Sequence, residues 1–254
     1  MILPNECLYD IFNKLRTDRK SLFSCLLVNR LWCRIIIPIL WSEPGVHFKD
    51  KRLVKICLSA LNTEEQALLI PFNLILPKNL KPLFEYASNI TSVNYYYLNK
   101  GIENYYNETY GNRISAIENS LALMFLRSSK NLKHLYFIGN IYNETLFVEK
   151  LCKNTSIVSL SFSDCYLKDE ALVNIFNKSI TLTSLDLTDT PLCSERANVL
   201  AKTLCESNTT LTSLSLFNNQ LHAEGGKVLA KALCKNTILT SLNLGWNELG
   251  NVID

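Results

Sequence analysis

Leu182-Thr183-Ser184-Leu185-Asp186-Leu187, Leu211-Thr212-Ser213-Leu214-Ser215-Leu216 and Leu239-Thr240-Ser241-Leu242-Asn243-Leu244 are one phrase written three times. Ile157-Val158-Ser159-Leu160-Ser161-Phe162 and Leu132-Lys133-His134-Leu135-Tyr136-Phe137 are looser copies. The fourth positions, 135, 160, 185, 214 and 242, advance by 25, 25, 29 and 28 residues. A fixed period of about 20 to 50 residues marks architectures in which one supersecondary unit stacks on the next. Within each copy apolar and polar residues alternate, which turns the leucines of a short strand into the core and the intervening residues to the other face. The ninth position holds Asn140, Cys165, Thr190, Asn219 and Asn247. Such side chains bond nearby backbone groups and hold the turn between coils, Thr190 more weakly than the others. Between the strands the period changes to that of a helix: Ala197, Leu200, Ala201 and Leu204, then Val228, Leu229, Ala232 and Leu233. Cys152, Cys205 and Cys234 each follow a leucine at a helix end. Recurrence at one repeat position reads as packing, not metal binding or catalysis.

A weaker unit lies upstream. Ile90-Thr91-Ser92-Val93-Asn94-Tyr95 has the same phase, but the step to the next strand is 42. Residues 96–112, rich in Tyr, Asn and Gly, read as an inserted loop. A helix follows with Ile114, Ile117, Leu121, Met124 and Phe125 on one face. Leu53 to Leu61 reads as a helix, and Thr63-Glu64-Glu65-Gln66 as a capping box. These stretches make 44–89 a helical junction. The whole pattern resembles the leucine-rich repeat, L-x-x-L-x-L-x-x-N/C-x-L, in its longer form, similar to the ribonuclease-inhibitor type. That resemblance implies an α/β solenoid over 90–254, with parallel strands on the concave side and helices on the convex side.

The first 43 residues are different. Leu8, Ile11, Phe12 and Leu15 form an amphipathic stripe behind Pro4. Leu22, Phe23, Leu26 and Leu27 form a second apolar face, and Trp32, Ile35 and Ile36 a third that Pro38 is expected to stop. About 40 residues cannot bury so many large apolar side chains alone, so something else must cover part of them. Leu3-Pro4-Asn5-Glu6, Ile11-Phe12, Leu15, Val28-Asn29-Arg30-Leu31-Trp32 and Leu40-Trp41 resemble the F-box motif. The resemblance implies three helices that bind a Skp-type adaptor, and through it a cullin, by Leu3, Pro4, Ile11, Leu26, Leu27, Val28, Trp32, Leu40 and Trp41. F-box first and repeats after is the layout of F-box leucine-rich-repeat proteins, in which the repeats select a protein target for ubiquitin transfer. The rival reading is a binding scaffold or inhibitor of the ribonuclease-inhibitor type, with the N-terminal helices as a solenoid cap.

Composition agrees with an interaction protein. A net charge of +3 gives no reason to expect nucleic acid or a membrane surface. No apolar run approaches the roughly 20 residues of a membrane span, and the N-terminus lacks a signal-peptide pattern. Nine cysteines without a Cys-x-x-Cys pair suit free thiols in a reducing, cytoplasmic or nuclear compartment. His47, His134 and His222 are far apart, and no nucleotide, metal or nucleophile motif is present, so neither an enzyme nor a cofactor is expected.

The intervening strand residues, from His134 and Tyr136 to Asn243 and Gly245, should face the target. Tyr136, Asp186, Asp189, Phe217, Asn243 and Trp246 are the candidates. The aromatics sit at the two ends, and the aspartates disfavour a phosphorylated target and suit a basic one. The last frame has its strand but no helix before Asp254, so its edge is expected to be covered by a partner or to exchange amides fast.

Overall fold

The computed structural model describes residues 3–77, 82–109, 111–206 and 210–250. Asp254 lies outside them. The chain begins with three helices, α1 (Asn5–Lys14), α2 (Arg19–Leu26) and α3 (Arg30–Ser42). Asp18 caps α2 by accepting from Ser21 N, and Asn29 caps α3 by accepting from Trp32 N at 2.9 Å. Leu8, Phe12, Leu22, Ile36 and Ile39 make their small core. Pro38 does not stop α3, which runs four residues past it to Ser42. Ile36 and Ile39 on either side of Pro38 are buried in this core and Trp41 packs on the repeat core, and that packing outweighs the lost backbone hydrogen bond.

Two short helices follow, α4 (Lys51–Ser59) and α5 (Thr63–Ala67). The capping box at α5 is one residue earlier than expected. Asn62, not Thr63, accepts from Glu65 N, and the Glu65 carboxylate accepts from Asn62 N, each at 2.8 Å. The strands β1 (Ser92–Asn94), β2 (His134–Ile138), β3 (Ser159–Ser163), β4 (Ser184–Asp186), β5 (Ser213–Ser215) and β6 (Ser241–Asn243) form one parallel sheet in sequence order. The register aligns Val93, Leu135, Leu160, Leu185, Leu214 and Leu242. All are buried except Leu242, which is half-buried on the edge strand.

Between β1 and β2 stand α6 (Tyr95–Tyr106) and α7 (Asn112–Ser128). The later steps each carry one helix: α8 (Glu144–Lys153), α9 (Asp169–Lys178), α10 (Ser194–Glu206) and α11 (His222–Leu233). The stretch expected as a loop is therefore mostly helical. Asn94 caps α6 through Tyr96 N, and Tyr95, Leu98 and Ile102 are buried at helical spacing. Tyr and Asn are poor helix formers, and packing overrides that preference. The next helix, α7, is buried on all sides, not on one face: Ala116, Glu118, Asn119 and Leu123 are as hidden as Ile117 and Leu121.

The Thr-Ser dipeptide has a structural purpose. Thr212 N and Ser213 N donate to the Thr183 carbonyl at 2.9 and 3.0 Å, and the Thr212 hydroxyl adds a third bond to it at 3.1 Å. The Thr183 and Thr240 hydroxyls do the same to Val158 and Thr212. The ladder continues beyond the sheet. Thr91 donates its amide (2.7 Å) and hydroxyl (2.9 Å) to the carbonyl of Ser42, the last residue of α3. The helical domain thus supplies the first rung of the solenoid.

Trp41 completes this joint. Its ring stacks on Tyr86 at 4.6 Å and 28°, and it packs on the repeat core. Trp41→Ala is expected to cost about 2 kcal/mol, less than truncation of a fully buried aromatic because Trp41 is half-buried. Urea melts check the loss, and faster cleavage near residue 43 in limited proteolysis should accompany it. An unchanged melt would remove Trp41 from the joint.

Candidate functional sites

Two surfaces stand apart from the core. The first is on the N-terminal helices. Leu3, Pro4, Ile11, Leu27 and Val28 are exposed, as are Tyr9, Phe23 and Leu31. The turn between α2 and α3 carries Leu27, Val28 and Leu31 together, held by Leu27 N donating to Ser24 O and Val28 N to Cys25 O. Arg19 fixes α2 against the end of α3 by donating to the carbonyls of Leu40 (3.2 Å) and Glu43 (2.6 Å). The remaining expected docking residues lie elsewhere. Trp32 packs edge-on against Phe12 at 4.9 Å, Leu26 and Leu40 are half-buried beside the helical core, and Trp41 belongs to the joint. The solenoid covers part of Trp41 and Phe12 part of Trp32, and both rings remain half-buried. Leu31 was missed as a surface residue, although it lies inside the quoted Val28–Trp32 run.

The second surface is the strand face. Alternation along β2 and β3 holds, with Leu135, Phe137, Leu160 and Phe162 buried and Tyr136, Ile138, Ser161 and Ser163 on the opposite side, half-buried. A polar chain crosses the middle strands. Ser161 donates to Asp186 Oδ2 at 3.3 Å, Thr188 gives its amide (3.0 Å) and hydroxyl (2.5 Å) to Asp186 Oδ1, and the Thr188 hydroxyl lies 3.3 Å from that of Ser215. Asp189 accepts from Asn218, and Asn243 accepts from Gly245 N at 3.1 Å. Phe217 is half-buried, not exposed, with its ring 6.3 Å from that of the exposed Trp246. Tyr136 lies three strands away from β5, so the aromatics do not form one patch.

The ninth-position residues behave as expected with one exception. Asn247 Nδ2 donates to Leu216 O at 2.6 Å while its Oδ1 accepts from Asn219 N and Leu221 N. Asn219 reaches back to Leu187 O, Thr190 to Phe162 O and Cys165 to Phe137 O. Burial pushes the Cys165 thiol up to about 12, which keeps it protonated and unreactive. Asn140 is exposed, and a helix residue substitutes for it. Asn119 of α7 donates to Asn140 O at 3.1 Å and accepts from Tyr142 N at 3.0 Å. A second helix between β1 and β2 places a buried amide where the coil would otherwise supply its own.

A three-helix domain is thus joined through a hydrogen-bond ladder to a parallel solenoid, with one exposed apolar surface on the helices and another surface along the strands. A family model described as F-box-like matches residues 1–46, and one described as Leucine Rich repeat matches 207–230 and 235–253. The chain therefore carries an F-box-like segment followed by leucine-rich repeats, an order consistent with an F-box leucine-rich-repeat protein. Among the described residues, no helix is long and apolar enough to cross a membrane.

Proposed function

We propose that this chain is the substrate-recognition adaptor of an SCF-type cullin ubiquitin ligase. Leu3, Pro4, Ile11, Leu27, Val28 and Leu31 bind the Skp-type adaptor, and the strand face of the repeats holds the protein target. The observation that carries this reading is the corner between α2 and α3. Leu27 and Val28 are 69% and 59% exposed next to each other, while the backbone bonds from Leu27 N to Ser24 O and Val28 N to Cys25 O and the Asn29 cap on Trp32 N hold that corner in shape without their side chains. Apolar side chains that the fold does not need, on a domain matched by the F-box-like model, are supported as an interface. The rung from Thr91 to Ser42 makes functional sense in the same terms, because ubiquitin transfer requires a target held at a set distance from the ligase. The chain itself supplies binding and geometry, with the chemistry on its partners.

Co-expression with a Skp-type adaptor tests this. The wild-type chain should co-purify with it, and Leu27→Glu with Val28→Glu should weaken binding at least about 100-fold by burying two charges in an apolar contact. The same variant should melt at the wild-type temperature, since both residues are outside the core. Absence of wild-type binding to any Skp-type adaptor would sink the ligase reading in favour of a plain binding scaffold.

A further inference from the structure

The residue that follows each strand pair is held in the left-handed backbone region. It is Gly139 (φ 88°), Asp164 (53°), Asp189 (55°), Asn218 (54°) and Trp246 (59°). The reason is in the ladder: Gly139 N donates to Ser163 O, Asp164 N to Thr188 O, Asp189 N to Phe217 O and Asn218 N to Gly245 O, each one coil onward. Gly, Asp and Asn tolerate this region, and a bulky aromatic does not. Trp246 is nevertheless there, 78% exposed. The fold gains little from its ring. A strained, solvent-facing aromatic at a position that favours glycine is a mark of binding.

The neighbourhood supports it. Phe217 lies across the adjacent coil because Gly245 leaves room: a Cβ on Gly245 would come within 3.0 and 3.1 Å of two Phe217 ring carbons. The two rings together cap one end of the strand face.

Charge then narrows the partner. The chain has 26 basic and 23 acidic residues, yet the five strands and turns at 134–141, 159–166, 184–191, 213–220 and 241–248 contain no lysine or arginine. They contain Asp164, Asp186, Asp189 and Glu248. Asp164 and Asp189 line a hollow of about 390 Å³ with Pro191, Asn218, Asn219 and Gln220, on the turns of the coils that precede Trp246. An indole face and carboxylates both favour a cation. Nucleic acid, an anionic membrane and a phosphorylated segment are all repelled by the same face.

We infer that the target is a basic protein segment, with a lysine or arginine on the Trp246 indole and an adjacent basic residue at Asp164 and Asp189. The inference rests on reading the repeats as the target-holding surface. It adds which chemistry they select.

A synthetic peptide of alternating arginine and leucine tests it, against the same peptide with glutamine or glutamate in place of arginine. Trp246 is the most exposed of three tryptophans, so its fluorescence should change on binding. Trp246→Gly should lower affinity for the arginine peptide by about tenfold or more, yet melt no lower than the wild type, because glycine suits φ 59°. A purely structural tryptophan would lower the melt and leave affinity unchanged. Asp164→Asn with Asp189→Asn should flatten the salt dependence of binding. Equal binding of the three peptides, or unchanged affinity in Trp246→Gly, overturns the inference. The Skp-type adaptor is assayed on the same samples. Adaptor binding without preference for the arginine peptide defeats this inference alone, and arginine-peptide binding without adaptor binding defeats the ligase reading alone.

Discussion

Gly101→Ala should destabilise this protein by about 3 kcal/mol or more, although alanine is by about 1 kcal/mol the better helix former. The two effects oppose each other, and the geometry decides between them. A Cβ at Gly101 would lie 1.9 Å from the Phe48 carbonyl oxygen and 2.7 Å from Val54 Cγ2. The first neighbour is backbone, in the 3-10 turn Gly45–Lys49, and cannot rotate away. The second is buried on α4. Relief requires α6 to move off both, which would uncover Phe48, Leu98 and Ile102, all fully buried. A fall in melting temperature of about 10 °C follows for a chain of this size. Gly226→Ala is the control, because its nearest neighbour, Leu249 Cδ2 at 2.9 Å, is the end of a flexible side chain. That variant should stay within about 1 kcal/mol of wild type. Equal melts for Gly101→Ala and wild type would mean that α6 does not lie on Phe48.

The second large effect is a dependence on pH that Glu118→Gln should abolish. Glu118 sits on α7, 5% exposed. Burial raises its carboxyl from 4.5 to about 7; the bond from Asn99 Nδ2, 2.9 Å, opposes the rise, and the nearby Glu103 adds to it. Glu103 is itself buried and paired with Lys100 at 2.9 Å. Between pH 4.5 and 7 the folded chain holds a proton at Glu118 that the unfolded chain has released. Stability from this group is therefore full below about pH 4.5 and is lost as pH rises to about 7, by about 3 kcal/mol. Glutamine keeps an oxygen for Asn99 and has no charge to bury. The stability difference between Glu118→Gln and wild type, measured by urea unfolding, should be near zero at pH 4 and about 3 kcal/mol in favour of the variant at pH 8. A difference that does not change with pH would place Glu118 in contact with water.

Both effects lie between β1 and β2, the part of the chain that sequence reading handled worst. The five later coils were legible because each copy repeats the same alternation of apolar and polar residues at one period, supported in most of them by a bonding residue at the ninth position and an apolar helical stripe. The stretch 96–112 had no copy to compare with, and its tyrosines and asparagines have no strong local preference. It becomes a helix because Tyr95, Leu98 and Ile102 find a core formed by α4, α7 and Phe48. The capping box slipped by one residue for a similar reason, since Asn62 and Thr63 are both competent caps and only the placed helix chooses between them.

The candidate sites divide along the same line. Leu27 and Val28 were legible as candidates, and are exposed, because the motif order is a property of the string, and the exposed Trp246 because an aromatic after Leu-Asn-Leu-Gly stands out. The half-buried placement of Trp32 and Trp41 was not legible, since a large apolar residue looks the same in sequence whether a partner covers it or its own chain does. Tyr86, 45 residues after Trp41, decides that, and no local pattern connects the two.

The sequence by itself determined the solenoid, its register and the polarity of its two faces, because these follow from residues within one period of each other, and each coil repeats the instruction. Only the tertiary structure decided that the helical domain starts the strand ladder at Ser42, that α7 lends Asn119 to a turn whose own Asn140 faces water, and that Gly101 and Glu118 are hidden. These depend on which distant segments meet, and long-range packing chooses among partners that local preference leaves equivalent.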